Sequence, residues 1–277
     1  MDKNEDVKMT SSPDKEVKLS YFDLQGYWGF TKHMGGLNAT NKLLKMCYVT
    51  KDRYVLVVGC GAGITPIYIA KEYGCKVVGV DISQKMIEWS KKRVKRENLE
   101  SNVDFKVADA QKLPFNDETF DAVICESVNA FIEDKSGVMN EYYRVTKPGG
   151  YIGFNECTWI KTPPPKDLVH YLNRTMSGAN FLTPSGWIEL FKNVGLGQIT
   201  PKTCEITAFG QWRDEMNQLG SKDINDFMKS WSKFFDLLIK NREFRSYTKE
   251  IWPSMSVVRN LFNYLGYGLY VGQKVDK

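Results

Sequence analysis

Gly59, Gly61 and Gly63 alternate directly after the apolar run 55–58, and Thr65-Pro66 follows. Glycine lets the backbone turn sharply and come close to a ligand. Unpaired N–H groups at a helix start attract a phosphate or a carboxylate, and Thr65 at the cap with Pro66 at the first helical position reads as such a start. Asp81 closes the next apolar run, 75–80, at the offset where an acidic residue can take both hydroxyls of a ribose. Asp81 could equally cap the following helix, a role also open to Ser83. The two histidines are His33 and His170. His33 is the better candidate for a general base, and Glu126, at the end of another apolar run, could bind an amino group, orient a substrate or cap a turn.

These groups need a particular scaffold. The β-branched run 55–58 is that of a strand buried on both faces of a parallel sheet. Runs 75–80, 103–107 and 120–126 are the further strands, with an apolar helical pattern from 64 and another helix from Ser83. The glycine spacing is G-x-G-x-G, whereas nicotinamide and flavin sites usually carry G-x-G-x-x-G.

Across residues 42–156 the chain resembles the class I S-adenosylmethionine-dependent methyltransferases. V-L-V-V-G-C-G-A-G stands at the family's glycine-rich turn, with Val57 where an acidic residue is more usual. V-V-G-V-D-I-S, V-A-D-A-Q-K-L-P-F, F-D-A-V-I-C-E-S and the K-P-G-G stop at 147–150 follow in the family's order. The resemblance implies a cofactor, S-adenosylmethionine, with S-adenosylhomocysteine as its product. Its binding residues would be Gly59, Cys60, Gly61 and Gly63 at the turn, Asp81 on the ribose, Ile82 against the adenine, Asp109 on the adenine amino group with Ala110 beside the ring, and Glu126 facing the methyl donor. It also implies a fold: α/β, a Rossmann-like seven-stranded, mostly parallel sheet with helices on both faces, its last strand antiparallel and preceded by a helical insertion.

Composition narrows the partners. The 277 residues carry 42% hydrophobic and 13% aromatic residues, enough for a substantial core rather than a disordered chain. A net charge of +5, with 38 basic against 33 acidic residues, gives no basic stripe for nucleic acid. The densest cluster, 91–96, reads as a solvated helix end where cations suit the dipole. The six cysteines have no metal-ligand spacing, so no metal is expected, and reduced thiols fit a cytoplasmic protein. Residues 1–18 lack the apolar core of a signal peptide, and no run is long enough to span a membrane. The expected partner is a small-molecule substrate, with the chain a monomer or homodimer.

The rest of the chain divides by pattern. Residues 1–20 read as a flexible tail and 21–277 as one domain: N-terminal lid helices (21–50), the donor-binding half (51–156), a substrate-side crossing with a helix and strand (157–210), a helical cap (211–263) and the last strand (264–277). Tyr21, with Tyr27 and Trp28, offers an aromatic face suited to a sulfonium cation, and Gly36 could allow close backbone approach. In the cap, Ile224, Phe227, Met228, Trp231, Phe234, Phe235 and Leu238 share one helical face that must be buried against something. Packing on the sheet, a lid over a nonpolar or aromatic substrate, and a dimer contact all fit that stripe.

Methyl transfer from an activated sulfonium is an in-line displacement and asks little of side chains beyond positioning. The Asn- or Asp-Pro-Pro-Tyr/Phe signature of enzymes that methylate adenine or glutamine is absent at 125–128. Two other functions compete with a small-molecule methyltransferase: an NAD(P)-dependent oxidoreductase, and a non-catalytic scaffold that kept the fold.

Overall fold

The computed structural model describes residues 33–275, apart from 177, 208, 209, 211, 212, 214–231, 233 and 237. Tyr21, Tyr27 and Trp28, and Ile224, Phe227, Met228 and Trp231 of the cap stripe, lie outside the described residues. The elements run α1 (Gly36–Met46), β1 (Tyr54–Val58), α2 (Ile64–Tyr73), β2 (Lys76–Asp81), α3 (Gln84–Arg96), β3 (Val103–Val107), β4 (Phe120–Glu126), α4 (Lys135–Val145), β5 (Thr146–Trp159), α5 (Lys166–Thr175), α6 (Pro184–Asn193), β6 (Leu196–Glu205), α7 (Arg242–Ile251), α8 (Met255–Tyr264) and β7 (Leu265–Lys274). The seven strands form one sheet in the order β3-β2-β1-β4-β5-β7-β6. The first five are parallel, and β7 inserts antiparallel between β5 and β6.

Alternation along each strand divides the core between the two faces of the sheet. Val55, Val57, Val77 and Ile124 pack on one face with Leu43 and Ile69. Leu56, Val58, Val123 and Phe154 pack on the other with Tyr142, Trp187 and Phe191. Both faces are covered, which is why β1 and β4 read as unbroken apolar runs rather than alternating ones. The strand order reverses between β1 and β4, and in open α/β sheets the crevice at the carboxyl ends of such a pair is where ligands bind.

One local expectation changes and one open choice is settled. The cap of α2 is Gly63, in the left-handed conformation, so Thr65 lies inside the first turn and its hydroxyl is released for another partner. Ser83 takes the cap of α3, accepting from Met86 N, which frees Asp81 from that duty. Between β5 and α5 the chain runs through Pro163-Pro164-Pro165, entered by a cis Thr162-Pro163 bond. Of the described cap residues, Phe234 stacks edge-on against Phe244 with ring centroids 5.5 Å apart. Phe235 is 54% exposed, so the stripe is not buried along its whole length.

Candidate functional site

The turn after β1 is held in place by neighbouring elements. Cys60 N donates to Val80 O at 2.9 Å, and Gly63 N to Cys60 O at 3.0 Å. From α3, Ser90 Oγ donates to Gly61 O at 2.8 Å and the Arg93 guanidinium to Ala62 O. Part of the basic end of α3 is therefore tied to the glycine turn rather than simply solvated. Gly59 has φ +65°, and a Cβ there would fall 2.2 Å from Val128 Cγ2. Gly63 has φ +82°, and its Cβ would meet Phe105 and Ser90 at 2.9 Å. Only glycine satisfies both the dihedral and the space at these two positions.

Asp81 closes the other side of the turn. Its Oδ2 accepts from Gly61 N and its Oδ1 from Ser83 N, both at 2.9 Å. Burial pushes its carboxyl above the usual range, opposed by those two N–H bonds. A carboxylate has about four lone-pair sites, so two remain for hydroxyl groups of a ligand. Ile82, next along, is 73% exposed, which is unusual for isoleucine and leaves an apolar surface for a flat ring. At the edge of β3, Ala108 N donates to Asp81 O at 3.0 Å, which brings Asp109 and Ala110 alongside. Asp109 is exposed and steadies its own turn by accepting from Gln111 N at 2.9 Å.

Glu126 ends β4 and is buried on the far side of the turn from Asp81. Its Oε1 accepts from Thr40 Oγ1 at 2.9 Å and its Oε2 from Thr65 Oγ1 at 2.8 Å. Asn155 Nδ2 donates to Met34 O at 2.9 Å and approaches Glu126 Oε1 at 3.4 Å. His33 Nε2 lies 2.9 Å from Thr40 Oγ1 and 3.7 Å from Glu126 Oε1. A small cavity of about 30 Å³ is enclosed by His33, Gly59, Cys60, Thr65 and Glu126. The structure thus brings His33, Glu126 and the glycine turn together. Gly36 is buried at the start of α1, four residues before Thr40, while Tyr21 lies outside the described residues. His170 is exposed on α5. Burial, with the charge of Asp81 adding to it, raises the Cys60 thiol well above its ordinary value and keeps it a protonated, apolar lining group.

Several contributors carry no sequence signal for this role. Thr40, Thr65, Ser90 and Asn155 come from four different elements, and only the fold brings their polar atoms to this edge. Val128, which covers Gly59, is one more apolar residue in an apolar stretch. Among the described residues, Ser127 Oγ, Asn129 Nδ2, Asn155 Oδ1 and Glu156 Oε2 are buried side-chain atoms without a hydrogen-bond partner. All four lie at the carboxyl ends of β4 and β5. Unpaired buried polar atoms are uncommon in folded proteins, and their clustering at this crevice fits a site completed by a polar ligand. No group of three or more potential metal ligands is found among the described residues.

Residues 56–154 match a family model described as a methyltransferase domain. An uncharacterized protein of Haemophilus influenzae is 30% identical over 216 residues, covering 73% of this chain and 86% of its own length. Phosphoethanolamine N-methyltransferase 3 of Arabidopsis thaliana is 33% identical over 200 residues, 72% of this chain and 40% of the plant protein. This chain therefore spans well under half of that plant relative. Among solved structures, phosphoethanolamine N-methyltransferase 2 of Haemonchus contortus, in complex with S-adenosyl-L-methionine, superposes with a TM-score of 0.69. That likeness has 21% identity and covers 92% of this chain and 57% of the nematode chain, so it speaks to the fold.

Proposed function

The chain belongs to the class I S-adenosylmethionine-dependent methyltransferases, and we propose that it moves the methyl group of that donor to a small-molecule acceptor. The observation that carries the choice of ligand is Glu126. A buried carboxylate facing the glycine turn and the start of α2 opposes a pyrophosphate electrostatically, whereas it suits the ammonium of a methionine moiety. An NAD(P)-dependent oxidoreductase would need to bring two phosphate charges to that same turn.

In this reading the methionine end lies over Gly59, Cys60, Gly61 and Gly63, with its ammonium on Glu126. Asp81 takes the ribose hydroxyls, and the adenine lies on Ile82 beside Asp109 and Ala110. Thr40 and Thr65 keep the Glu126 carboxylate oriented by donating one hydrogen bond to each oxygen. The donor supplies an already activated methyl carbon on a sulfonium. What remains for the protein is to align the acceptor, exclude water and accept a proton where the acceptor carries one. Alignment of this kind is worth up to ~7–11 kcal/mol in ideal cases. His33 is the proton-accepting group we assign: with Thr40 donating to Glu126, His33 Nε2–H donates to Thr40 Oγ1, and Nδ1 is the nitrogen of the neutral ring that can accept a proton.

Similarity to the plant phosphoethanolamine N-methyltransferase supports a small molecule rather than a macromolecule as acceptor. Of the stripe that would suit a lid over a nonpolar or aromatic acceptor, Ile224, Phe227, Met228 and Trp231 lie outside the described residues. Calorimetry with S-adenosylhomocysteine and with NAD tests the reading, together with transfer of labelled methyl into the small-molecule fraction of a cell extract. Binding of S-adenosylhomocysteine and label in that fraction are expected. Binding of NAD alone would overturn the donor assignment, and donor binding without any transfer would favour a non-catalytic scaffold.

A further inference from the structure

Glu156 lies on β5, one residue beyond the Asn155 that meets Glu126, and its side chain is fully buried. Its Oε1 accepts from the backbone N–H of Asn129 at 2.8 Å and of Val128 at 3.1 Å. Those two N–H groups belong to the turn that leaves β4 and passes over the glycine turn. Ser127, at the head of that turn, sits at φ +58°, a conformation a serine holds only when its surroundings impose it. The surroundings are explicit. Ser127 N donates to Asn155 O at 2.7 Å, Tyr142 Oη to Asn129 Oδ1 at 3.1 Å, and Asn180 N to Ala130 O at 2.7 Å. Glu156 is the one charged side chain in this set.

The consequence of that hold is the position of Val128. A Cβ on Gly59 would meet Val128 Cγ2 at 2.2 Å and Cγ1 at 3.0 Å, so the valine fills the space that glycine leaves open. We propose that Glu156 is a positioning residue for methyl transfer: by holding the backbone N–H groups of Val128 and Asn129, it sets the wall against the methionine and methyl-bearing end of the donor. A single carbonyl-type oxygen with two lone pairs suits the task, since Oε1 accepts both neighbouring N–H groups at once. Burial pushes the Glu156 carboxyl up to about 7, against the pull of those N–H bonds and of the Lys135 charge. A group buried at that electrostatic cost and placed against the ligand crevice is worth testing for a functional reason.

The proposal rests on the donor reading above, and two probes separate their failures. Calorimetry on the full chain compares S-adenosylhomocysteine with 5′-deoxy-5′-methylthioadenosine, which keeps the adenosine and lacks the amino acid. Loss of the two N–H contacts in Glu156→Ala is expected to weaken S-adenosylhomocysteine roughly tenfold or more, and methylthioadenosine less than about threefold. Glu156→Gln, which keeps a carbonyl oxygen where Oε1 stands, is expected to restore S-adenosylhomocysteine to within about threefold of the unmodified chain. Val128→Ala is expected to give the same selective loss with the carboxylate untouched. Equal weakening of both probes, or no weakening of either, would make Glu156 a residue of general stability and overturn the proposal. Should Glu156→Ala not fold, Glu156→Asp, which withdraws the carboxylate by one methylene, takes its place, and identical affinities for the Asp and Gln variants would overturn it equally. Failure of the unmodified chain to bind either probe would instead remove the donor reading.

Discussion

Asp81 Oδ2 accepts the backbone N–H of Gly61 at 2.9 Å, so the carboxylate proposed for the ribose also fixes the turn proposed for the methionine end. The two halves of the donor site are mechanically one unit, and this coupling shapes what substitutions at either residue do.

Asp81→Ala removes both ribose acceptors and releases the N–H groups of Gly61 and Ser83. Two hydrogen bonds to a charged group are worth about 3–6 kcal/mol, so donor affinity is expected to fall about 100-fold or more. Asp81→Asn keeps one carbonyl acceptor and is expected to lose less. Titration of both variants with S-adenosylhomocysteine checks this, and an unchanged Kd in Asp81→Ala would remove Asp81 from the ribose role.

Gly59→Ala adds a methyl group 2.2 Å from Val128 Cγ2 at a φ of +65°. Strain of this kind costs about 1–3 kcal/mol before the contact with the valine is counted. The variant is expected to melt several degrees lower and to lose donor binding. Gly59→Ala combined with Val128→Ala is expected to recover part of the melting temperature, because the contact is relieved while the dihedral is not. Thermal melts of the single and double variants measure the difference, and additive losses would show that the two side chains do not share that space.

Glu156 also carries a pH signature in stability. Its folded carboxyl is raised by burial to about 7, above the usual carboxylate value, so the folded state holds its proton more tightly than the unfolded state does. The group's favourable contribution is therefore full below the unfolded value and is lost as pH rises through about 7. Glu156→Gln removes this dependence. Relative to the unmodified chain, its melting temperature is expected to be higher at pH 8 than at pH 5. Melting curves at the two pH values decide it, and a difference of the opposite sign would show the carboxylate to be stabilised in its ionised form.

The parallel half of the fold was legible because its physics is local. A strand buried on both faces has to be a continuous apolar run, and residues 55–58 and 122–125 are written that way. Ser83 was legible as a helix start by the same locality, accepting from a backbone N–H three residues on. Thr65 misled because a polar residue ahead of proline is the usual signature of a cap. Here the left-handed Gly63 takes that place and the threonine hydroxyl turns to Glu126.

By itself the sequence determined the strands, the glycine turn and the places of Asp81, Asp109 and Ala110, since each lies within a few residues of the strand end that presents it. The tertiary structure alone decided the environment of Glu126. Thr40 is 86 residues away in the chain and Thr65 is 61, and nothing local records that their hydroxyls converge on one carboxylate. It also decided the hydrogen-bond partners of Glu156, which lie 27 and 28 residues back along the chain. Hydrogen bonds of that span exist only once adjacent parallel strands have paired, so the sequence could supply the groups and only the folded sheet could supply their geometry.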